Sequence, residues 1–162
     1  MSTHDEAEVR AAAEHYVEVR ERIDRGEADW SEMIALFTDD AVFVDPAWGR
    51  AEGKAAIIEL FDTAMPGVDF HFPIDFWAVT GDWVMVKWRQ VLPVTRPDGR
   101  PWQQPAVSTL LYAGDGKFGY EEDLLNMAHA VEDIIASGWL PGQGFTAPPE
   151  TVDRNFDPEP TR

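Results

Sequence analysis

An apolar run that ends in an aspartate and a proline constrains the fold of this chain more than any other feature. Residues 41–44 are apolar, Asp45 follows them, and Pro46 comes next. Because proline cannot donate a hydrogen bond to a sheet, the pattern predicts a strand that ends at Asp45. Apolar neighbours disfavour the charged form of an aspartate at a strand tip, which raises its pKa as a general base requires. Gly53 then begins a predicted helix over about 53–64.

Two helices are predicted before this strand. Apolar residues recur at helical spacing over 9–23, and Tyr16 lies on that buried stripe. The first helix is expected to end at about Arg25, where Gly26 provides a stop signal. A second, short helix is predicted over 30–37.

The period of the apolar residues changes from helical to extended after Pro66-Gly67. Glycine-containing turns separate four predicted strands at 68–79, 83–95, 102–113 and 117–127. Strands joined by tight turns form an antiparallel meander, one face of which must be buried, and the preceding helices can cover it. A last helix is predicted over about 127–137. The order of elements therefore predicts an α+β fold.

Composition limits the function classes. The chain of 162 residues has a formal charge of −17, which disfavours nucleic acid and anionic membranes as partners. It has no cysteine, no apolar run long enough for a membrane helix, and an N-terminus without signal-peptide features, so a cytoplasmic protein is expected. We expect a single domain over 1–140 and a Pro-rich extended tail over 141–162, either partly disordered or draped over a neighbour.

The segment around Asp45 resembles that of a known superfamily. Asp39, Asp40, Ala41, Asp45 and Pro46 match the pattern Asp-Asp-Ala-x-x-x-Asp-Pro. With the order of elements, this segment resembles the nuclear transport factor 2-like superfamily, which includes ketosteroid isomerase, SnoaL-like polyketide cyclases, scytalone dehydratase and limonene-epoxide hydrolase. The resemblance covers about residues 6–127 and implies a cone-shaped α+β barrel, a curved mixed or antiparallel sheet wrapped around the N-terminal helices.

The resemblance implies roles for several residues. Asp45 corresponds to the proton-shuttling base of the isomerases, although Asp-Pro is also a plain strand terminator. Tyr16 corresponds to their oxyanion hydrogen-bond donor, and its alternative role is a core tyrosine bonded to a backbone carbonyl. Ser108 lies where the isomerases have a second donor, an aspartic acid, and a serine is a weaker donor. Asp123 corresponds to the final-strand aspartate of the hydrolase and the cyclases, its alternative being a structural ion pair with Arg89, Lys87 or His71.

Other residues are expected to contact a ligand. The epoxide hydrolases have an arginine and an aspartate on the middle strand where this chain has Trp88 and Gln90, so their Asp-Arg-Asp set is absent. Gln90 could orient a carbonyl or a water. Trp48 is expected at the pocket mouth, and Leu125 shares the strand face of Asp123. The remaining predicted ligand contacts are Trp88 and His71, the latter with a structural role as its alternative.

These observations predict a small, cofactor-free enzyme that moves a proton next to a carbonyl of an apolar, steroid- or polyketide-like substrate, as an isomerase, dehydratase or cyclase. Asp45, Asp123 and Tyr16 are the predicted catalytic residues. No spaced set of histidines and carboxylates indicates a metal. The alternatives are a non-catalytic carrier of an apolar ligand and a protein-interaction module. A homodimer through the outer sheet face is also predicted, because residues 83–86 are apolar on both faces of the predicted strand, which is more than one buried face requires.

Overall fold

The computed structural model describes residues 3–161. Four helices and six strands lie within this range. The helices are α1 (Glu6–Asp24), α2 (Trp30–Ile34), α3 (Lys54–Ala64) and α4 (Met127–Ser137). The strands are β1 (Phe37–Asp45), β2 (Gly49–Glu52), β3 (Ile74–Thr80), β4 (Trp83–Thr95), β5 (Pro101–Gly114) and β6 (Lys117–Leu125). None of the helices in this range is long and apolar enough to cross a membrane.

The strands form one curved, unclosed sheet in the order β2-β1-β6-β5-β4-β3. All neighbouring strands are antiparallel except β1 and β6, which are parallel. Helices α1, α2 and α3 cover the inner face and bury a core of aliphatic and aromatic side chains. The mixed α+β fold predicted from the order of elements is confirmed.

Asp5 caps the N-terminus of helix α1, and its side chain accepts a hydrogen bond from the backbone N–H of Ala7. Its buried stripe contains Tyr16, which is fully buried, as the spacing predicts. One turn further along the same stripe lies Arg20, which is only 5% exposed. A buried guanidinium needs an anionic partner, so this helix carries a charge into the interior.

The turn after β1 explains why the strand ends where it does. The Asp45 carboxylate accepts hydrogen bonds at Oδ1 from the backbone N–H groups of Ala47 (2.7 Å) and Trp48 (2.8 Å). Gly49 follows with a φ of 84°, and β2 then pairs with β1. The sequence did not predict β2, because four residues are too few to show an alternating pattern. Strand β1 also begins earlier than predicted, and α2 is correspondingly shorter.

The start of strand β3 differs most between the predicted and the observed element boundaries. The strand begins at Ile74, whereas the apolar pattern predicts extended structure from residue 68. Pro73 cannot donate to the sheet, and before it only His71 forms a bridge, to Val91. The predicted bounds of β4 and α4 are confirmed, and those of β5 and β6 differ from the prediction by no more than two residues at each end.

Residues 138–161, after α4, form no helix or strand and lie against the rest of the chain. Gly138 ends α4 in a left-handed conformation. Further along, the Arg50 side chain donates to the backbone carbonyls of Asn155, Asp157 and Glu159 at 2.6–3.0 Å. The described tail is therefore held against β2 by hydrogen bonds to its backbone.

Candidate functional site

A cavity of about 280 Å³ lies between the inner face of the sheet, helices α2, α3 and α4, and the tail. Its wall is mostly apolar and aromatic, and Arg20 and three carboxyl side chains are its charged members. The apolar lining includes Trp30, Phe43, Trp48, Phe61, Phe72, Trp88, Leu125, Ile134, Trp139 and Phe145. Such a wall suits a flat, mostly apolar ligand.

The sheet register brings Asp45 and Asp123 together. Strands β1 and β6 pair in parallel, with Phe43 beside Glu121 and Val44 beside Glu122. Continuing this register by one residue places Asp45 beside Asp123, on strands spaced by about 4.8 Å. Both aspartates line the cavity. Two carboxyl groups in one apolar pocket do not ionise equally, so one tends to keep its proton.

The surroundings of Asp45 act on its pKa in opposite directions. Burial raises its pKa, and the hydrogen bonds from the backbone of Trp48 and Ala47 lower it, with a further lowering by the charge of Arg154. Both backbone bonds are made by Oδ1. Oδ2 makes no hydrogen bond to any residue between 3 and 161.

Asp123 is held more strongly in its protonated form. Burial raises its pKa well above the ordinary value, the charge of Glu121 raises it further, and Arg20 lowers it. The indole N–H of Trp88 donates to Ser108 Oγ at 2.9 Å, and Ser108 donates to Asp123 Oδ1. An indole N–H is a donor only, so the single hydroxyl hydrogen of Ser108 remains for Asp123 Oδ1. This pattern favours Oδ2 for the acid proton of Asp123, whose carboxyl also shares a hydrogen bond with Glu121.

A second buried chain of hydrogen bonds holds Glu121. Arg20 Nη1 donates to the Tyr16 hydroxyl, and that hydroxyl donates to Glu121 Oε1, both at 2.7 Å. The guanidinium lies 3.9 Å from the same carboxylate oxygen and is flanked by the rings of Trp30 and Trp88. Burial raises the pKa of Glu121, and the charge of Arg20 and the Tyr16 hydrogen bond lower it. Arg20 is thus the counter-ion of the buried carboxyl cluster.

Sequence reasoning placed neither Arg20 nor Glu121 in the site. A signal for Arg20 was present, since it lies four residues after Tyr16 on the apolar stripe of α1. Arginine at such a position is usually assigned to the solvated side of a helix. A buried stripe that contains an arginine indicates a buried acidic partner elsewhere in the chain.

Six of the other predicted residues divide into two groups. Trp48, Trp88, Gln90 and Leu125 line the cavity. Behind the wall, Tyr16 and Ser108 have their hydroxyl groups engaged by carboxyl side chains, and neither residue is part of the lining.

His71 lies outside the cavity, with a side chain that is 61% exposed and 3.5 Å from Asp24. Its neighbours Phe70 and Phe72 line the cavity, and the His71 side chain between them points away from it, so His71 lies outside the lining.

The structural alternative for Asp123 involved three basic residues, and none of them pairs with it. Arg89 pairs with Asp75 at 2.8 Å, and Lys87 donates to backbone carbonyls. Among the residues that the structure describes, no group of three His, Asp or Glu side chains is arranged to hold a metal ion.

A curved sheet covered by N-terminal helices, with carboxyl groups at one side of an apolar cavity, defines the cone-shaped α+β class of the nuclear transport factor 2-like superfamily. Within this class the chain belongs to the SnoaL-like domain family, whose model matches residues 6–118. The match ends before Glu121 and Asp123 on β6. No curated protein sequence matches the chain significantly.

Solved structures share this fold at low sequence identity. A SnoaL-like protein from Shewanella putrefaciens CN-32, provisionally named a polyketide cyclase, is 17% identical, with a TM-score of 0.61 over 79% of this chain and 86% of that chain. An LEH-like epoxide hydrolase from M. tuberculosis is 17% identical, with a TM-score of 0.57 over 81% and 92%. SalBIII, an epoxide hydrolase/cyclase-like enzyme in pyran ring formation in the polyether salinomycin, is 19% identical, with a TM-score of 0.58 over 77% and 95%. The neighbours therefore include small-molecule enzymes with different reactions.

Proposed function

We propose that this protein is a cofactor-free acid–base enzyme that moves a proton next to a carbonyl of an apolar substrate, by isomerisation, dehydration or cyclisation. One observation carries the proposal: Asp45 and Asp123 occupy neighbouring positions on the wall of one apolar cavity, in environments that raise the pKa of Asp123 further than that of Asp45. Groups whose surroundings separate their pKa values are suited to act as base and acid.

Asp45 is the proposed base. Its Oδ1 is held by two backbone N–H groups, which fix the carboxylate and leave Oδ2 for a substrate proton. Asp123 is the proposed acid, since its proton is favoured on Oδ2 and can pass to a carbonyl or departing hydroxyl oxygen. Removal of a proton beside a carbonyl by Asp45 and protonation of the oxygen by Asp123 together give a neutral enol.

Arg20 takes the polarising role that the resemblance gave to Tyr16 and Ser108. It lines the cavity, and its single hydrogen bond to a described residue is the one to Tyr16. The other guanidinium N–H groups can therefore donate to a substrate oxygen on which negative charge develops. Tyr16 and Ser108 act behind the wall by holding the carboxyl groups of Glu121 and Asp123 in place.

The cavity limits the substrate. A cavity of about 150 Å³ holds one benzene ring, so the 280 Å³ found here accommodates roughly two fused rings. Three carboxyl groups face one guanidinium, which disfavours anionic ligands. We therefore infer a neutral bicyclic or similarly sized carbonyl compound as the substrate. A larger steroid- or polyketide-like ring system would have to extend out through the opening of the cavity.

The competing function is a carrier that binds such a compound without changing it. Its support is that Asp45 also caps a turn, a purely structural task. The deciding experiment screens α,β-unsaturated ketones, hydroxy-carbonyl compounds and polyketide-like rings for binding and turnover. With a substrate found, Asp45→Asn should abolish turnover, Asp123→Asn should lower it, and the wild-type pH profile should show two coupled ionisations. A ligand that binds tightly and emerges unchanged from all three proteins would establish the carrier.

A homodimer is the proposed assembly. The outer sheet face exposes large apolar side chains on β3, β4 and β6, among them Phe76 (54%), Met85 (39%) and Leu124 (53%). Several large apolar side chains exposed on one sheet face, in contrast to single scattered ones, favour association with a second copy. We expect sedimentation to show a dimer at tens of micromolar concentration, and Met85→Glu to shift it towards monomer. A wild-type monomer under those conditions would contradict the assembly.

A further inference from the structure

The tail crosses the mouth of the cavity between two anchor points. The first anchor is at Gly67, whose carbonyl accepts a hydrogen bond from the backbone N–H of Gly142 at 2.8 Å. A Cβ at Gly67, which has a φ of 76°, would lie 2.6 Å from the Gly142 carbonyl oxygen. The Trp139 indole adds a hydrogen bond to Asp69 at 2.8 Å. The tail therefore approaches the body of the protein as closely as the backbone permits.

The second anchor is on β2. The Arg50 backbone N–H donates to the Asp153 carbonyl at 2.8 Å, and the Arg50 side chain, 3% exposed, binds the three carbonyls further along the tail. Gly49 allows this contact, since a Cβ there would lie 2.7 Å from the Asp153 carbonyl oxygen. Arg154 donates to the carbonyl of Pro46, within the turn that holds Asp45.

The span between the anchors forms part of the cavity wall. Phe145, Thr146 and Pro148 line the cavity, and the Phe145 ring packs against Trp139. No hydrogen bond joins residues 146–151 to any other described residue. A segment that covers a cavity while bonded only at its ends can move without disrupting the sheet or the core.

We propose that residues 139–161 form a clamp that closes the cavity over its ligand, with Phe145 as the wall residue that limits ligand size. This inference rests on the ligand-binding part of the proposed function and not on proton transfer. The clamp lies beyond the family match, which ends at residue 118. In the closed arrangement a two-ring ligand is enclosed, and the unbonded span 146–151 moves to admit or release it.

Two variants loosen the anchors, each with a matched control. Arg50→Gln removes the hydrogen bonds to the tail carbonyls, and its control Arg89→Gln removes a surface arginine that pairs with Asp75. Gly67→Ala forces the tail away from the body. Its control Gly99→Ala carries the same positive-φ cost (85°) with nothing within 4 Å of the new Cβ.

Two readouts test the clamp in the full chain without any catalytic step. Trypsin cleavage after Arg154, followed by intact mass, reports release of the tail. Stopped-flow fluorescence with Prodan, a neutral naphthalene ketone of two fused rings, reports exchange of a cavity ligand. Arg50→Gln should accelerate cleavage, and both anchor variants should accelerate dye exchange, by about tenfold or more, the factor expected from one lost hydrogen bond of moderate strength. Both controls should behave as wild type.

Either of two results would overturn the clamp. Wild-type protein cleaved after Arg154 as fast as Arg50→Gln would show that the tail is not docked on β2. Unchanged dye exchange in variants whose tail is released would show that the docked tail does not cover the cavity. Thermal unfolding of each variant checks that the domain remains folded, and Gly67→Ala keeps the test open if Arg50→Gln does not fold.

Discussion

Substitution of Asp45 separates its structural role from its chemical one. The carboxylate accepts two backbone hydrogen bonds, from Ala47 at 2.7 Å and Trp48 at 2.8 Å, and these close the turn between β1 and β2. Asp45→Ala removes the acceptor and leaves both N–H groups without it. Asp45→Asn keeps an amide oxygen in the same place, and asparagine is as suitable as aspartate at the first position of such a turn.

The magnitude follows from those two contacts. A hydrogen bond to a charged group contributes about 1.5–3 kcal/mol to stability. Burial of the Asp45 charge offsets part of this contribution, as its raised pKa indicates. We therefore expect Asp45→Ala to lower the free energy of unfolding by about 2–4 kcal/mol. Asp45→Asn should change it by less than about 1 kcal/mol, because its hydrogen bonds remain and no buried charge is present.

Urea denaturation at pH 7, followed by tryptophan fluorescence, measures both values. Equal losses in the two variants would refute the reasoning, since they would show that the charge and not the acceptor position holds the turn. No loss in Asp45→Ala would refute it as well, because the turn would then not depend on the side chain. With the expected result, loss of activity in Asp45→Asn can be assigned to chemistry.

Three further predictions concern the cavity. Glu121→Gln removes the negative charge that raises the pKa of Asp123, so an NMR titration of the Asp123 carboxyl carbon should show a lower pKa, and an unchanged one would contradict the coupling. Because burial raises the pKa values of both carboxyls in the folded state, stability should fall as pH rises above the ordinary carboxyl range of about 4. Denaturation of Asp123→Asn across pH 4–8 should show a shallower fall than wild type, and an equal slope would contradict this. Phe145→Ala should let the cavity bind a longer neutral aromatic than wild type binds, whereas Phe156→Ala, on the exposed part of the tail, should not.

Local residue chemistry made much of the fold predictable. Pro46 fixes the end of β1 whatever the rest of the chain does. The turns at Gly81 and Gly116 fix the β3–β4 and β5–β6 hairpins. Strong apolar alternation then sets the inner face of the sheet. The position of Asp45 on the cavity wall follows from the same local rules.

The remaining features depend on contacts between distant segments. Arg20 enters the site because Glu121 is available 101 positions later in the sequence, and nothing near Arg20 indicates that partner. Strand β2 and the docked tail are held mainly through backbone groups, which every sequence possesses. Their placement is decided by Gly49 and Arg50, two residues whose significance appears only when the tail is in place.

The central claim is that Asp45 removes a proton next to the carbonyl of a bound ligand. The most direct measurement follows hydrogen–deuterium exchange at that carbon by NMR, in D₂O, with a carbonyl compound that binds in the cavity. Wild type should catalyse the exchange, and Asp45→Asn should be slower by about 100-fold or more, the usual contribution of a general base. A bound ligand that exchanges no faster than in buffer, or equally fast with wild type and Asp45→Asn, would contradict the account.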